Sequence, residues 1–178
     1  THQEAKLNDE QKAKIEVSAL LKTLIEQIAF EARGSEFVDN KSGVSARLTI
    51  SAYENLVSTA ERRMLINGEG STFARISDLT GAVSAINGKI ELVYEGEQEG
   101  PAMVAQGLIG KAIRNHFISL FPDPSKLKKK KQASPYQKVL DWFSENNEVD
   151  LLVIDTDKTY KYVLDSIPAL EDLVTQYA

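Results

Sequence analysis

The chain has 178 residues, 42% of them hydrophobic and 26% charged, and a formal net charge of −5. That length suits one sizeable domain or two small ones, and the acidic balance argues against whole-surface attraction to nucleic acid or anionic lipid. Without cysteine there is no disulfide, thiolate metal site or cysteine nucleophile, which is compatible with the cytoplasm, the expected location.

The N-terminal "THQEAKLNDEQKAK" has no signal-peptide core and no initiator Met, so the chain reads as a fragment or a processed product. No apolar run approaches the roughly eighteen residues that span a bilayer; the densest cluster is Leu151-Leu152-Val153-Ile154. From Val17, apolar residues fall at Leu20, Leu21, Leu24, Ile25 and Ile28, which predicts an amphipathic helix over 9–33 ending at Gly34. The polar loop "GSEFVDNKSG" follows.

A second helix is predicted over 45–66, with Tyr53, Leu56, Val57, Ala60 and Met64 on one face. If Ser45 caps it, Arg47 sits in the first turn, where the helix dipole and free N–H groups favour anions and repel cations. Either an anion meets Arg47 there, or Arg47 is a surface arginine paired with Glu54 or Asp39. A rival start exists at Ser51-Ala52-Tyr53-Glu54, a capping-box pattern that would leave "VSARLTI" extended.

"NGEGS" (67–71) reads as a loop. Residues 76–93 fit two structures equally well. Leu79, Val83, Ile86 and Ile90 suit a helix capped by Ser77, whereas Asn87-Gly88 between "AVSAI" and "KIELVY" is a hairpin signal. The acidic "YEGEQEG" (94–100) reads as a surface loop.

Pro101 opens a helix bearing Leu108, Ile109, Ala112, Ile113, Phe117 and Leu120, which Pro122 and Pro124 close. A basic connector spans 125–133. Ser134 and Gln137 form a capping box around Pro135, predicting a helix over 135–145. Near the end, 151–154 could form a short strand. Tyr160, Val163, Leu164 and Ile167 then predict one helix and Leu170, Leu173, Val174 and Tyr177 another, separated by Pro168. The fold class is therefore all-α.

Few residues point to chemistry. Gly107-Leu-Ile-Gly110-Lys111 has the wrong spacing for a phosphate loop, and its glycines read as sites of close helix packing. His2 and His116 are the only histidines, so no metal site is expected. Asp155 and Asp157 begin like a calcium loop, but Tyr160 and Ser166 stand where Gly and Glu are needed. The pair reads instead as a cap for the following helix. Lys126, Lys128, Lys129, Lys130 and Lys131 form a basic run without interleaved aromatics. It has two readings, a solvated linker on an otherwise acidic protein, which is favoured, and a basic contact for nucleic acid or an acidic partner. Asn40-Lys41-Ser42 matches a glycosylation sequon, discounted without a secretory signal.

The stretch "GVSARLTISAYENLVSTAERRMLINGE", followed by "ARISDLTGAVSAINGKIEL", resembles the helical lid of AAA+ ATPases of the MoxR and magnesium-chelatase subunit I group. In that group a Gly-x-Ser-x-Arg segment starts a lid helix and supplies the sensor-2 arginine; here it is Gly43, Ser45 and Arg47. The similarity covers about 10–95, with Ala46 where the MoxR branch usually has Pro and a different lead-in over 34–44. It favours helix over hairpin at 76–93.

The resemblance implies a small helical-bundle lid subdomain (1–95) followed by a helical C-terminal extension (96–178). It implies an upstream AAA+ core in the same polypeptide, ATP and Mg²⁺ bound by that parent, a ring homo-oligomer and a protein client. Arg47 would contact the γ-phosphate, with Gly43 and Ser45 shaping the helix start. No catalytic residue is expected within this chain, and alone it is expected neither to hydrolyse ATP nor to hold a cofactor. The rival reading is a stand-alone helical protein–protein adaptor without nucleotide chemistry.

Overall fold

A computed structural model of the chain describes residues 4–39, 41, 43–130, 134–145 and 147–177. The fold is all-α, with a single two-stranded sheet among the described residues. The chain divides into two compact units, Thr1–Arg114 and Asn115–Ala178. That division falls later than the 95/96 boundary expected from sequence, because the first part of the helix beginning at Pro101 belongs to the core of unit one.

Unit one begins with α1 (Asp9–Lys14), whose cap Asn8 forms a reciprocal box with Gln11. The helix predicted over 9–33 is interrupted here. Ile15–Glu16 form strand β1, and α2 (Ala19–Arg33) restarts after Ser18, whose Oγ accepts the Leu21 N–H at 3.3 Å. The apolar periodicity runs from Val17, so it describes α2 alone. Upstream, β-branched Ile15 favours the extended backbone that pairs with β2 (Thr72–Phe73) in parallel, Ile15 opposite Thr72.

One face of α2 (Leu21, Leu24, Ile25, Ile28, Ala32) shares a buried core with one face of α3, Leu48–Asn67 (Leu48, Ala52, Leu56, Val57, Ala60). Trimming one of the fully buried leucines to alanine in such a seam costs about 2–5 kcal/mol. Gly68, at φ +64°, ends α3 in the left-handed conformation that glycine adopts without steric penalty.

After β2 comes a 3₁₀ helix (Ile76–Ala82) that passes directly into α4 (Val83–Asn87). The helical reading of this stretch therefore holds as far as Asn87, where Gly88 caps the helix rather than turning a hairpin. Beyond it the chain is extended, and Ile90 and Leu92 form isolated antiparallel bridges with Val44 and Val38. The expected cap Ser77 lies inside the 3₁₀ helix. The N-cap is Arg75, whose N–H is taken by the Asp78 carboxylate at 2.7 Å.

The stretch 94–100 is not a loop. Tyr94–Glu99 form α5, held close because Gly96 is buried; a Cβ there would stand 2.5 Å from the Phe37 carbonyl oxygen. In α6 (Pro101–Leu120), Val104, Ala105, Leu108, Ile109 and Ala112 complete the core of unit one. The buried Glu31 of α2 receives Lys111 Nζ at 3.0 Å and Gln27 Nε2 at 2.7 Å, tying α2 to α6.

Unit two is organised by aromatic rings. Phe117 stacks on Phe121 with centroids 4.7 Å apart and rings 7° from parallel. Tyr136 lies beside Phe117, and Tyr177 beside Phe121. Burial, together with Tyr177 and Asp123, raises the Tyr136 phenol above its ordinary value.

The basic connector is in part α7 (Pro124–Lys130), started by Asp123, which accepts the Ser125 N–H and hydroxyl. These bonds hold the Asp123 carboxyl below its usual range. α8 (Gln137–Ser144) follows Tyr136 as N-cap rather than the predicted Ser134. α9 (Asp157–Asp165) is capped by Thr156 rather than by the aspartates beside it, and α10 (Leu170–Tyr177) follows Pro168. Leu151–Ile154 form no strand; all four side chains are exposed.

Candidate anion-binding cleft

The predicted start of the second helix is corrected by three residues. Ser45 does not cap α3 directly. Its Oγ accepts the Arg47 N–H at 3.2 Å and its carbonyl accepts the Leu48 N–H at 3.0 Å, making a turn that delivers the chain into the helix. α3 begins at Leu48 with Arg47 as N-cap, at φ −87° and ψ −1°. The rival start fails too, since the Ser51 N–H already donates to the Arg47 carbonyl within the helix.

This turn is fixed from behind. Ser45 N donates to Lys89 O and Glu91 N to Gly43 O, both at 2.9 Å, while Asp39 N donates to Glu91 O at 2.9 Å and Val93 N to Phe37 O at 3.1 Å. The segment leading to Arg47 is thus laid antiparallel against 89–93. Within its own segment Gly43 packs against Val38 and Asp39, where a Cβ would collide with the Asp39 carbonyl oxygen.

Between the two segments lies a cleft of about 290 Å³, lined by Gly43, Ser45, Arg47 and residues 88–91. Arg47 is exposed and Lys89 half-buried. Neither cation forms an ion pair with an acid among the described residues. The acids expected to pair with Arg47 are used elsewhere: Glu54 Oε1 accepts the Lys6 N–H, and Asp39 Oδ1 the Lys41 N–H, each at 2.7 Å. Compared with protein-family models, curated proteins and solved structures, the chain finds no match.

The other residues singled out from sequence lie apart from this cleft. Lys111 is engaged by Glu31, and Gly107 and Gly110 face open space rather than a packed helix. Gly107 and Lys111 do help line a cavity of about 570 Å³ against Gly34–Phe37. It is larger than the Arg47 cleft, but its lysine is already neutralised.

Lys126 and Lys128 are exposed on α7, which Lys129 and Lys130 also join. Lys131 lies outside the described residues, as do His2, Asn40 and Ser42. His116 is half-buried, and its carbonyl accepts the Ser119 hydroxyl. Asp155 Oδ2 accepts the Leu152 N–H at 2.9 Å. Among the described residues no helix is long and apolar enough to cross a membrane.

Two features were not anticipated from the sequence. One is Lys89, hidden in a stretch that fitted helix and hairpin alike. The other is a buried ion pair that anchors the scaffold. Arg63 NH1 reaches both Asp78 oxygens, with Oδ2 at 2.7 Å, and NH2 donates to Thr72 Oγ1 at 3.0 Å and to the Phe73 carbonyl at 2.7 Å. Asp78 is 0% and Arg63 3% exposed.

Proposed function

We propose that the chain is the C-terminal part of a cytoplasmic AAA+ ATPase of the MoxR and magnesium-chelatase subunit I type. Unit one would serve as its lid. The reading is carried by one observation: the Gly43–Ser45–Arg47 segment presents an exposed arginine, without an acidic partner, at the head of the twenty-residue helix α3. A guanidinium placed there can offer two parallel N–H donors to a phosphate oxygen pair.

In the parent enzyme the upstream core holds ATP and Mg²⁺ and performs the chemistry, while Arg47 senses the γ-phosphate. Loss of that phosphate on hydrolysis releases Arg47 and with it the lid, which passes the change to neighbouring subunits of a ring or to a client protein. The chain itself supplies no catalytic group.

The test is Arg47→Ala in the full-length polypeptide, assayed by phosphate release. Losing a charge-assisted contact made to the transferring phosphate lowers kcat by about tenfold or more. Unchanged turnover sinks the lid reading.

The exposed run Leu151–Ile154 favours a second reading, a helical adaptor that binds a protein through unit two. That reading predicts no phosphate-loop domain encoded upstream of this chain, whereas the lid reading requires one.

A further inference from the structure

Arg47 does not stand alone in its cleft. Lys89 lines the same space from the opposite segment, and the Ser45–Lys89 backbone bond at 2.9 Å sets the two residues' chain segments side by side. Six other cations of unit one are engaged by an acid or a ring. Lys12 pairs with Asp9, Lys14 with Glu10, Lys111 with Glu31 and Arg63 with Asp78, while Arg33 and Arg75 lie over the rings of Phe30 and Phe73. Glu91 also lines the cleft, leaving its three ionisable side chains with a net charge of one positive unit.

We propose that Lys89 is a second phosphate-binding residue, so that the cleft holds a phosphate oxyanion between a guanidinium and an ammonium contributed by two separate segments. The chemistry suits this division. Arginine offers a planar fork that fixes orientation, and lysine a mobile point charge that follows the oxyanion. The bridge between Val44 and Ile90 holds both segments in register, so both residues line the cleft before a ligand arrives. Identifying the anion as the terminal phosphate of a nucleotide rests on the lid reading; the two-cation cleft itself does not.

The experiment is titration of the 178-residue chain with inorganic pyrophosphate at low ionic strength, followed by ¹H–¹⁵N NMR. Binding is expected to shift the amides of 43–47 and 88–91. Lys89→Gln is expected to weaken binding about fivefold, the worth of one partly exposed charge contact. Lys89→Arg should retain affinity, and the dispersion of each variant's spectrum reports that it is folded. The double variant Lys126→Gln/Lys128→Gln should bind like the wild type.

Absence of binding by the wild-type chain, wild-type affinity in Lys89→Gln, or shifts centred on Lys126 and Lys128 would each overturn the proposal. In the full-length polypeptide, Lys89→Gln should raise the KM for ATP. A Lys89-dependent pyrophosphate site combined with unchanged ATP turnover in Arg47→Ala would retain the cleft and discard the lid.

Discussion

Asp78→Ala tests whether unit one is organised around its buried ion pair. Asp78 is fully buried, and its carboxylate receives both the Arg63 guanidinium and the Arg75 backbone N–H. Removing it takes the Asp78 carboxylate away from Arg63, a residue 3% exposed, and from the Arg75 backbone N–H. Breaking a buried pair from one side costs about 3–5 kcal/mol, a large part of the roughly 5–15 kcal/mol that separates a folded domain from its unfolded chain.

The loss should appear in urea unfolding followed by circular dichroism, as a lower midpoint with little change in slope. Arg63→Met/Asp78→Leu, which removes both charges together, should lose less than the sum of the single substitutions Arg63→Met and Asp78→Leu, because neither charge is then stranded. A loss below about 1 kcal/mol for Asp78→Ala, the range of an exposed ion pair, would refute the reasoning. So would strict additivity of the double variant.

Three further outcomes are expected. Gly43→Ala forces a Cβ to 1.8 Å from the Asp39 carbonyl, so the 38–47 segment must move; midpoint stability should fall and pyrophosphate affinity should fall with it, as read by the same unfolding and NMR titrations. Gly110→Ala lies mid-helix in α6 with open space around the new methyl, and should stabilise by about 0.5–1 kcal/mol through helix propensity; a lowered melting temperature would contradict this. Burial raises the Tyr53 phenol above its ordinary value of about 10. The folded chain therefore binds that proton more tightly than the unfolded one, so the associated stability is present below pH ~10 and is lost as pH rises through the raised value. Tyr53→Phe should flatten that alkaline decline in urea midpoints.

The parts of this fold legible in the sequence are those set by local periodicity. The apolar spacing of α2, α3 and α6 identifies each helix and most of its buried face. Pro101 and Pro168 mark where helices begin or separate. Where the sequence misleads, the deciding interaction is either a competing side-chain bond or a contact far along the chain. Ser45 has the chemistry of an N-cap, yet its hydroxyl is spent on the Arg47 N–H before the helix begins. "YEGEQEG" is polar enough for a loop, but Gly96 seats it against Phe37, a neighbour that no local pattern reveals. Arg63 looks like a surface residue within "AERRM", and only its approach to Asp78, fifteen positions away, makes it an internal ion. Lys89 is the same case at the cleft: it lines the same space as Arg47 only because the 43–45 segment pairs with 89–91.

The corrected helix start alters why Arg47 is available. In the first turn of α3 it would have opposed the helix dipole directly, a penalty of about 0.3–1 kcal/mol. As the N-cap it sits at the boundary, and the turn below it has already engaged the Arg47 and Leu48 N–H groups through Ser45. Electrostatic mismatch at the backbone is therefore a smaller part of the account than competition for partners. Asp39 serves Lys41 and Glu54 serves Lys6, so the two acids that the sequence offered as partners of the guanidinium each accept from a main-chain donor. An exposed arginine that forms no ion pair among the described residues, lining the same cleft as Gly43 and Lys89, is what the proposed anion contact requires.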